Sequence, residues 1–528
     1  MVNNQEKKIT AEELSKKHRE ISVAEFFTKN RHLLGFDNPI RALLMTVKEA
    51  VDNSLDACNE IHILPEIYVE IQELSETRYK VIIEDNGPGI VKANIPKVFG
   101  KLLYGSKFHR LRQSRGSQGI GISASVLYSQ LTTGKSTKIL SKISKGKQAH
   151  QYELNIDTKT NSPNVIKDEN ADWDKDHGTR IELELEGKYQ KGKQSVDEYI
   201  KQVAIVNPDA HITYITPEKE RQDFLRGTNE LAKEPKEIKP HPYGIELGNL
   251  IQMLSITTTR TLQSFLTQDF SRIGPGTAKD ICAKAKLSAN TKPKNMDRQE
   301  AEQLFKAMQE TKVMAPPTDC LSPIGADILE RGLQKEVNAD FYVTTTRPTS
   351  VYRGFPFVVE AGIAYGGDIE KESQVRLMRF ANKVPLLYQQ GACAITKSLG
   401  ETKWKSYGLN QSGSNMPTGP AIVVLHLASV WVPFTSEAKD AVAHYDAIIK
   451  EIKLALQECG RKLNTYIRKH IRAAEQRQKI DLFGKYIPEL AASLSHLTNK
   501  KEEVILKKLE KTLKKELPTL ESENGEKK

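Results

Sequence analysis

Residues 37–61 read DNPIRALLMTVKEAVDNSLDACNEI, and this stretch decides the fold that we expect for the chain. The Asp-Asn-Pro start favours a helix, because proline is well tolerated at the first helical position. Apolar side chains then recur at helical spacing and form one stripe: Leu43, Leu44, Val47, Ala50, Val51 and Leu55. Glu49, Asn53 and Asp56 fall at i, i+4 and i+7, so they share a face beside that stripe. Taken alone, this polar face is better interpreted as the exposed side of an amphipathic helix.

A second motif follows about thirty residues later, where residues 83–90 read IEDNGPGI. An apolar strand runs directly into two glycines, which allow a tight turn and a close approach of a ligand. Asp85, at the end of the strand, can accept a hydrogen bond from an exocyclic amine. A plain Asx-Gly turn is the competing interpretation of the same residues.

Residues 115–124 read RGSQGIGISA, a Gly-x-x-Gly-x-Gly run that opens a predicted helix over residues 123–130. Backbone N–H groups at the start of a helix can hold phosphates. The run is not a dinucleotide-binding fingerprint, because a βαβ context and a distal acidic ribose ligand are not evident. A Gly-Thr pair before a strand, at residues 178–179, carries no information alone.

Two other stretches imitate functional motifs and are interpreted as ordinary structure. Residues 133–136 (TGKS) resemble the end of a P-loop, but Ser129 stands where the first glycine of that loop should be. Residues 172–176 (DWDKD) contain Asp-x-Asp, yet they lie in a polar, loop-like stretch. We therefore expect neither a P-loop nor a metal site there.

Taken in order and with their spacing, the four motifs resemble the GHKL ATPase superfamily, which includes gyrase-type topoisomerases, MutL, chaperones of that fold and histidine kinases. The resemblance implies an α/β sandwich that binds ATP and Mg²⁺. Glu49 would be the general base that orients the attacking water, and Asn53 would hold Mg²⁺. Asp85 would accept the adenine amine, with Gly89 and Thr179 lining the base pocket.

The same resemblance assigns the remaining nucleotide contacts to the glycine run and to a mobile lid over residues 92–118. Within the lid, Ser106 and Lys107 would touch the nucleotide. The phosphates would lie against the start of the predicted helix, at Gly116, Ser117, Gln118, Gly119, Ile120, Gly121, Ile122 and Ser123.

Five further segments resemble the ATPase subunits of the type IIB DNA topoisomerases, the topoisomerase VI class: residues 23–27, 98–107, 240–244, 381–386 and 404–408. The resemblance implies an α+β multidomain chain. Its parts would be an N-terminal arm (1–20), a GHKL (Bergerat) ATPase domain (21–240), a helix–two-turn–helix domain (241–315), a ribosomal-S5-like transducer with a long C-terminal helix (316–475) and a charged tail (476–528). The transducer of that family supplies a lysine to the γ-phosphate, and Lys405 is the matching position.

The function implied is that of an ATP-hydrolysing subunit that relaxes supercoiled DNA by double-strand passage. ATP-driven dimerisation of two such chains would gate a DNA-cleaving A subunit within an A2B2 heterotetramer. We find no Glu-Gly-x-Ser-Ala cleavage motif, so this chain is not expected to cut DNA. A MutL-like repair ATPase and a GHKL chaperone stay open as alternatives. A sensor histidine kinase is disfavoured, because neither His18 nor His32 has a phosphoacceptor context.

Composition limits these classes further. The 528 residues suffice for about three domains, and 78 Lys and Arg against 67 Asp and Glu leave a net charge of +11. A basic balance favours a polyanionic partner such as DNA, although many basic proteins bind none. No apolar run approaches the ~18 residues of a membrane span, and the polar N-terminus lacks a signal-peptide core. We therefore expect a cytoplasmic, DNA-associated protein without membrane contact.

The remaining predictions concern cysteines and secondary structure. Five scattered cysteines without a CxxC pair predict reduced thiols rather than disulfides or a zinc site. Besides a helix over about 39–61, the pattern predicts a long helix from about Ser436 and a solvated, fraying helix over 498–528. The predicted strands are 67–74, 79–85, 137–145 and 179–186 in the first half, and 357–365, 375–380 and 421–432 in the second.

Overall fold

The computed structural model describes residues 11–15, 18–108, 110–116 and 119–516. The helices are α1 Ala11–Ser15, α2 Val23–Lys29, α3 Pro39–Glu60, α4 Ile95–Gly100, α5 Gly121–Thr133, α6 Val196–Val206, α7 Leu247–Ile256, α8 Leu262–Asp269, α9 Pro275–Lys284, α10 Arg298–Glu310, α11 Ala326–Glu336, α12 Ala394–Glu401, α13 Asp446–Thr498 and α14 Glu502–Glu516. The strands are β1 Glu66–Ser75, β2 Arg78–Asp85, β3 Thr137–Lys142, β4 Ala149–Asp157, β5 Ser162–Ala171, β6 Gly178–Glu186, β7 His211–Ile215, β8 Arg221–Phe224, β9 Phe341–Thr346, β10 Ser350–Tyr352, β11 Phe355–Tyr365, β12 Arg376–Ala381, β13 Val384–Pro385 and β14 Ala421–Ser429.

The first half of the chain forms an eight-stranded mixed sheet with the order β5-β4-β3-β6-β2-β1-β7-β8. All neighbouring strands are antiparallel except β1 and β7, which run parallel. Helices α3, α5 and α6 cover the sheet and share one apolar core with it. This two-layer arrangement is the predicted α/β sandwich.

Helix α3 forms for the reasons that its sequence suggests. The side chain of Asn38 accepts a hydrogen bond from the backbone N–H of Arg41 at 2.9 Å and caps the helix, with Pro39 at its first position. The apolar stripe is buried against the sheet. The face with Glu49 and Asn53 is thereby left at the edge of the core, where it can meet other elements.

The middle of the chain, α7 to α10, is a helical unit with its own apolar core. Helix α10 begins with a capping box, in which Asp297 and Glu300 satisfy each other's backbone N–H groups. The segment before this unit is fixed by two backbone hydrogen bonds: Ile238 donates its N–H to Leu111 O at 2.9 Å, and Lys236 donates its N–H to Cys320 O at 2.9 Å.

A six-stranded sheet with β11 and β14 at its centre makes up the rest of the fold. Helices α12 and α13 pack on one face of this sheet. Helix α11 packs on the other face, together with Ile205 and Val206 at the end of α6. The two sheets are therefore joined through a shared apolar contact.

The structure corrects several predicted boundaries. The long helix begins at Asp446 and not near Ser436, because residues 435–442 form a loop in which Val442 pairs with Phe434 and fills the core as an extended segment. The same helix runs to Thr498, through the predicted domain limit at residue 475. Strands 137–145 and 421–432 end earlier, at Lys142 and Ser429. Strands β4, β5, β7, β8, β9, β10 and β13 have no counterpart among the predicted strands.

The structure describes only part of the predicted N-terminal arm and of the predicted C-terminal tail. The structure has a short helix at Ala11–Ser15 within the predicted arm and places α14 within the predicted tail, while residues 1–10 and 517–528 lie outside the described part. Within that part, none of the helices combines the length and apolar character that a bilayer span requires. All five cysteines are buried and free, which confirms the thiol prediction.

Candidate functional site

One large cavity, of about 680 Å³, lies between α3, the glycine-rich turns of the first sheet, the lid and the start of α5. Its lining includes most of the residues predicted to hold a nucleotide: Glu49, Asn53, Asp85, Gly89, Ser106, Lys107, Gly116, Gly119, Ile120, Gly121, Ile122 and Thr179. Residues from four separate motifs thus meet around one space, as the resemblance implied.

Asp85 is the centre of one end of the cavity. It is 6% exposed and accepts hydrogen bonds from Ser54 Oγ at 2.9 Å, from the N–H of Gly87 at 2.9 Å and from the N–H of Thr179 at 3.1 Å. Burial raises the pKa of this carboxyl above its ordinary value, although these donors oppose the rise. A fixed, buried acceptor of this kind suits an exocyclic amine of a base.

Glycines make room at this end. A Cβ on Gly89, where φ is +67°, would lie 2.0 Å from Lys142 O, and a Cβ on Gly178 would lie 2.2 Å from Asp85 O. Only glycine permits these backbones to approach so closely. Ser141 Oγ accepts from the N–H of Ile90 at 2.8 Å and lies 3.1 Å from Thr179 Oγ1, which closes the floor.

Glu49 and Asn53 mark the other end, beside the first turn of α5. A Cβ on Gly121 would lie 1.7 Å from Glu49 Oε2, so the carboxylate rests directly on the start of that helix. Lys48 Nζ holds Glu49 Oε1 at 3.3 Å. The N-terminus of α5 carries no side-chain cap, which leaves its backbone N–H groups available for an anion.

The lid is anchored on Asp56, the third polar residue of α3. Lys107 Nζ and Arg115 Nη1 each lie 2.8 Å from a different Asp56 oxygen, so one buried carboxylate holds both ends of this part of the lid. These two cations lower the pKa of Asp56 although burial opposes that shift. Lys107, predicted to touch the nucleotide, also pairs with Glu60 at 3.3 Å.

Among the described residues, two predicted contacts, Ser123 and Lys405, do not line the cavity. The hydroxyl of Ser123 is buried and bonds to Ile120 O at 2.9 Å, because its position in the first turn of α5 points it into the helix. Ser117 and Gln118 lie outside the described residues. Lys405 is exposed on a short 3-10 helix, Trp404–Tyr407, that packs against α13 and does not line the cavity.

The part of the chain that forms the second sheet contributes a different lysine to the cavity. This is Lys439, in the loop over residues 435–442. It lines the cavity, and its Nζ donates to Arg115 O at 3.1 Å. Burial lowers its pKa, while Glu49 opposes that shift. Asp440 Oδ2 meets Arg41 Nη2 of α3 at 2.5 Å and fastens the loop there. The helical spacing of Val442 and the apolar residues after it concealed this loop in the sequence.

The residues present fit a divalent cation only if the nucleotide supplies most of its ligands. The described residues contain no group of three or more His, Cys, Asp and Glu side chains suited to a metal. Asn53 lines the cavity. Its amide oxygen faces Gly116 and would lie 3.5 Å, an ordinary van der Waals distance, from a Cβ added to that glycine. Mg²⁺ commonly accepts such a site, with one protein oxygen plus phosphates and waters.

Comparison with known families and proteins agrees with this geometry. Residues 42–179, which include both ends of the cavity, match the family model described as histidine kinase-, DNA gyrase B-, and HSP90-like ATPase. Residues 316–479 match the model described as topoisomerase VI B subunit, transducer. The first match identifies the fold of the cavity, and the second identifies the module that carries Lys439.

Three relatives that are similar over nearly the whole chain carry the name of the B subunit of type 2 DNA topoisomerase 6. The protein of Methanococcoides burtonii is 54% identical over 92% of this chain and 78% of its own length. That of Methanosarcina barkeri is 53% identical over 93% of this chain and 79% of its own length. That of Archaeoglobus fulgidus is 48% identical, covering 92% of this chain and 81% of its own length.

Proposed function

Because the chain belongs to the B-subunit family of type 2 DNA topoisomerase 6, we propose that it couples ATP hydrolysis to DNA strand passage. The observation that carries this proposal is the meeting of two modules at one cavity. Glu49, Asn53 and Asp85 come from the ATPase fold, and Lys439 reaches in from the transducer. A nucleotide bound there touches both modules, so its chemical state can bias how they sit together.

The adenine end selects and orients the substrate. Asp85 accepts the exocyclic amine of adenine, and Thr179 and Gly89 border the ring. The triphosphate extends towards the glycine run, where the backbone N–H groups of α5 and its helix dipole stabilise negative charge. This orientation brings the γ-phosphate close to Glu49.

Glu49 acts as the general base. It orients a water in line with the γ-phosphate and takes up its proton as the bond to phosphorus forms. Gly121 holds the carboxylate in place through close contact, and Lys48 restrains it from the other side. Asn53 would hold Mg²⁺, which neutralises phosphate charge when bound.

Lys439 replaces Lys405 as the residue through which the transducer senses the γ-phosphate. Its ammonium group lies in the cavity beside the lid, and the Arg41–Asp440 ion pair holds its loop against α3. Loss of the γ-phosphate removes a partner of Lys439 and frees the loop to move. Helix α13, which begins shortly after this loop, carries the displacement away from the site.

The partners follow from the same assignment. Two copies of this chain close on ATP, with the N-terminal arm crossing over, and gate a DNA-cleaving A subunit in an A2B2 heterotetramer. Lysines and arginines hold DNA through its phosphates without reading bases, as the net charge of +11 permits. Within the chain we assign 21–240 to the ATPase unit, 241–315 to the helix–two-turn–helix unit and 316–475 to the transducer, whose helix continues to Thr498.

Supercoil relaxation tests the proposal. The chain is assayed alone and with a topoisomerase VI A subunit, each with and without ATP–Mg²⁺, alongside Glu49→Ala, Lys439→Ala and the exposed control Lys405→Ala. We expect relaxation only with the A subunit and ATP together, lost in Glu49→Ala, strongly reduced in Lys439→Ala and retained in Lys405→Ala. ATP hydrolysis without relaxation by any A subunit would leave the ATPase site standing and remove strand passage.

A further inference from the structure

A second, much smaller cavity lies behind the lid, where several parts of the chain meet. Its walls come from lid residues 107, 110 and 112–115, from α3 residues 56, 59 and 60, from the segment 232–235 that precedes the helical unit, from Ser322, and from the turn Asn382-Lys383 between β12 and β13. Its volume is about 60 Å³, against about 680 Å³ for the nucleotide cavity. A nucleotide is far too large for this space, whereas a small ion fits.

The lining of this cavity carries more basic than acidic side chains. Six of its lining residues are lysine or arginine and three are aspartate or glutamate, a net of +3. Arg115 is 9% exposed and gives one guanidinium nitrogen to Asp56 and another to Asn207, while its Nε is buried without a hydrogen-bond partner. A buried donor without an acceptor is costly. The described residues supply no acceptor for this Nε, so a bound anion could supply one.

Lys383 is the most unusual member of the lining. It is 7% exposed, and among the described ion pairs and hydrogen bonds none joins its Nζ to an acid. Burial and the nearby Arg115 lower its pKa to about 8, whereas Asp209 and Glu360 only partly oppose these effects. An ammonium group buried in this way is short of negative charge.

The backbone at Lys383 adds a second cost. Ala381 pairs with Val384, so Asn382 and Lys383 form a two-residue hairpin turn, with φ of +48° and +65°. Turns with both central residues at positive φ strongly favour Asn followed by Gly, so a lysine at the second position is strained. A residue that is both strained and buried without a counter-ion indicates a role other than stability.

We propose that Lys383 and Arg115 form a binding site for one small phosphate-class oxyanion. A tetrahedral oxyanion would accept from the ammonium group and from the unpartnered Nε, and it would balance the charge of the cavity. Inorganic phosphate is the natural occupant if the chain hydrolyses ATP as proposed above, since the two cavities share Lys107 and Glu60 in their walls.

An ion bound there would act on the joint between the lid and the transducer. Asn382 Nδ2 donates to Ser114 O at 3.1 Å, and Lys439 Nζ donates to Arg115 O at 3.1 Å, so these two transducer contacts fall on adjacent lid residues. Gln113 is also joined to Ser322 by two hydrogen bonds, of 2.8 and 3.0 Å. The anion therefore tightens the end of the lid against the transducer.

Phosphate binding to the full chain tests the site without any turnover of ATP. Inorganic phosphate is titrated by calorimetry and by thermal melting at constant ionic strength, with chloride as the reference salt. The nucleotide cavity is filled beforehand with a non-hydrolysable ATP analogue and Mg²⁺. We expect one saturable site per chain that persists when the nucleotide cavity is full. Sulfate should compete for it, and a short DNA duplex should not.

Two variants identify the residue, with Lys405→Met as the exposed control. Lys383→Met and Lys383→Gly each remove the charge, and glycine also suits the turn, so that variant is expected to fold with a melting temperature at least equal to that of the wild type. Both should weaken phosphate binding by about tenfold or more while leaving analogue binding unchanged. The control should bind phosphate normally.

Three outcomes overturn the proposal. The first is phosphate binding to the Lys383 variants with the affinity of the wild type. The second is displacement of phosphate by the analogue, which would place it in the nucleotide cavity. The third is binding that never saturates, which would mean an adventitious ion only. Because none of these measurements uses hydrolysis or relaxation, failure of the anion site and failure of the proposed ATPase function are recorded separately.

Discussion

The two ends of the nucleotide cavity are built in different ways. At the adenine end, Asp85, Gly89 and Thr179 lie on or beside the neighbouring strands β2 and β6, and hydrogen bonds within one sheet hold them together. At the phosphate end, α3, α5, the lid and the loop over residues 435–442 converge from separate parts of the chain. The first end is suited to rigid recognition, and the second to a change of contacts when the phosphate is cleaved.

The largest expected effect comes from disturbing the phosphate end at its tightest contact. Gly121→Ala places a Cβ 1.7 Å from the present position of Glu49 Oε2, so the carboxylate must move away from the in-line water. A displacement of about 1 Å in a reacting group costs roughly 10²-fold in rate. We expect kcat for ATP hydrolysis to fall by about that factor in steady-state assays.

The matched control is Gly146→Ala, since an added Cβ there meets nothing within 4 Å. This variant should hydrolyse ATP at the wild-type rate. If Gly121→Ala were equally active, Glu49 would not be the positioned base, and the division between a recognition end and a reaction end would not hold.

Disturbing the adenine end should act on binding instead. Asp85→Asn retains the shape of the side chain but removes a charged acceptor, which is worth about 1.5–3 kcal/mol. We therefore expect the dissociation constant for ATP, measured by calorimetry, to rise by roughly 10- to 100-fold. Asp174→Asn, in an exposed loop, is the control. An unchanged affinity in Asp85→Asn would exclude the carboxylate from base recognition.

The same variant carries a pH signature. Burial raises the pKa of Asp85 in the folded state above its ordinary value of 3.8, so ionising this group costs stability as the pH rises through the folded-state pKa. Asp85→Asn removes that cost. Its free energy of unfolding, relative to the wild type, should therefore be higher at neutral pH than at pH values below the ordinary pKa. A difference of the opposite sign would mean that the three donors outweigh burial.

The smallest expected effect concerns the link between the ends and the transducer. Asp440→Asn weakens the ion pair with Arg41 and loosens the loop that carries Lys439, without removing any group from the cavity. We expect kcat to fall only a few-fold, since Arg41 keeps Asp37 at 2.9 Å and the ring of Tyr388. Relaxation per ATP hydrolysed should fall more than hydrolysis itself. Equal losses in both would assign the ion pair a purely structural role.

The contrast between Lys405 and Lys439 shows where reasoning from sequence stops. Lys405 lies in a segment that resembles the family strongly, yet it is exposed and away from the cavity. Lys439 lies in a stretch whose apolar residues have helical spacing, so the pattern predicts a helix where the structure has a loop. Spacing cannot distinguish a helix from a loop whose side chains are buried by a neighbouring sheet.

Other misses have the same origin. Strand β5 presents mostly exposed polar residues and pairs only with β4 at the sheet edge, so it shows no alternation that a sequence could reveal. Ser54 lies next to Asn53 in α3 but turns towards Asp85, a partner 31 residues away. In both cases the structure depends on partners that are distant in the sequence, and the residue types do not specify those partners.

The sequence by itself determined the ATPase fold, the family and most of the residues that line the large cavity. These depend on local features: the spacing of Glu49 and Asn53 along one helix, the strand end at Asp85 and the glycines that make room for a ligand. Only the tertiary structure decided which lysine enters the cavity, how Asp56 holds the lid, and that Lys383 is buried beside Arg115. Those contacts join residues far apart in the chain, and their energies arise from burial and charge pairing that exist only once the modules have packed together.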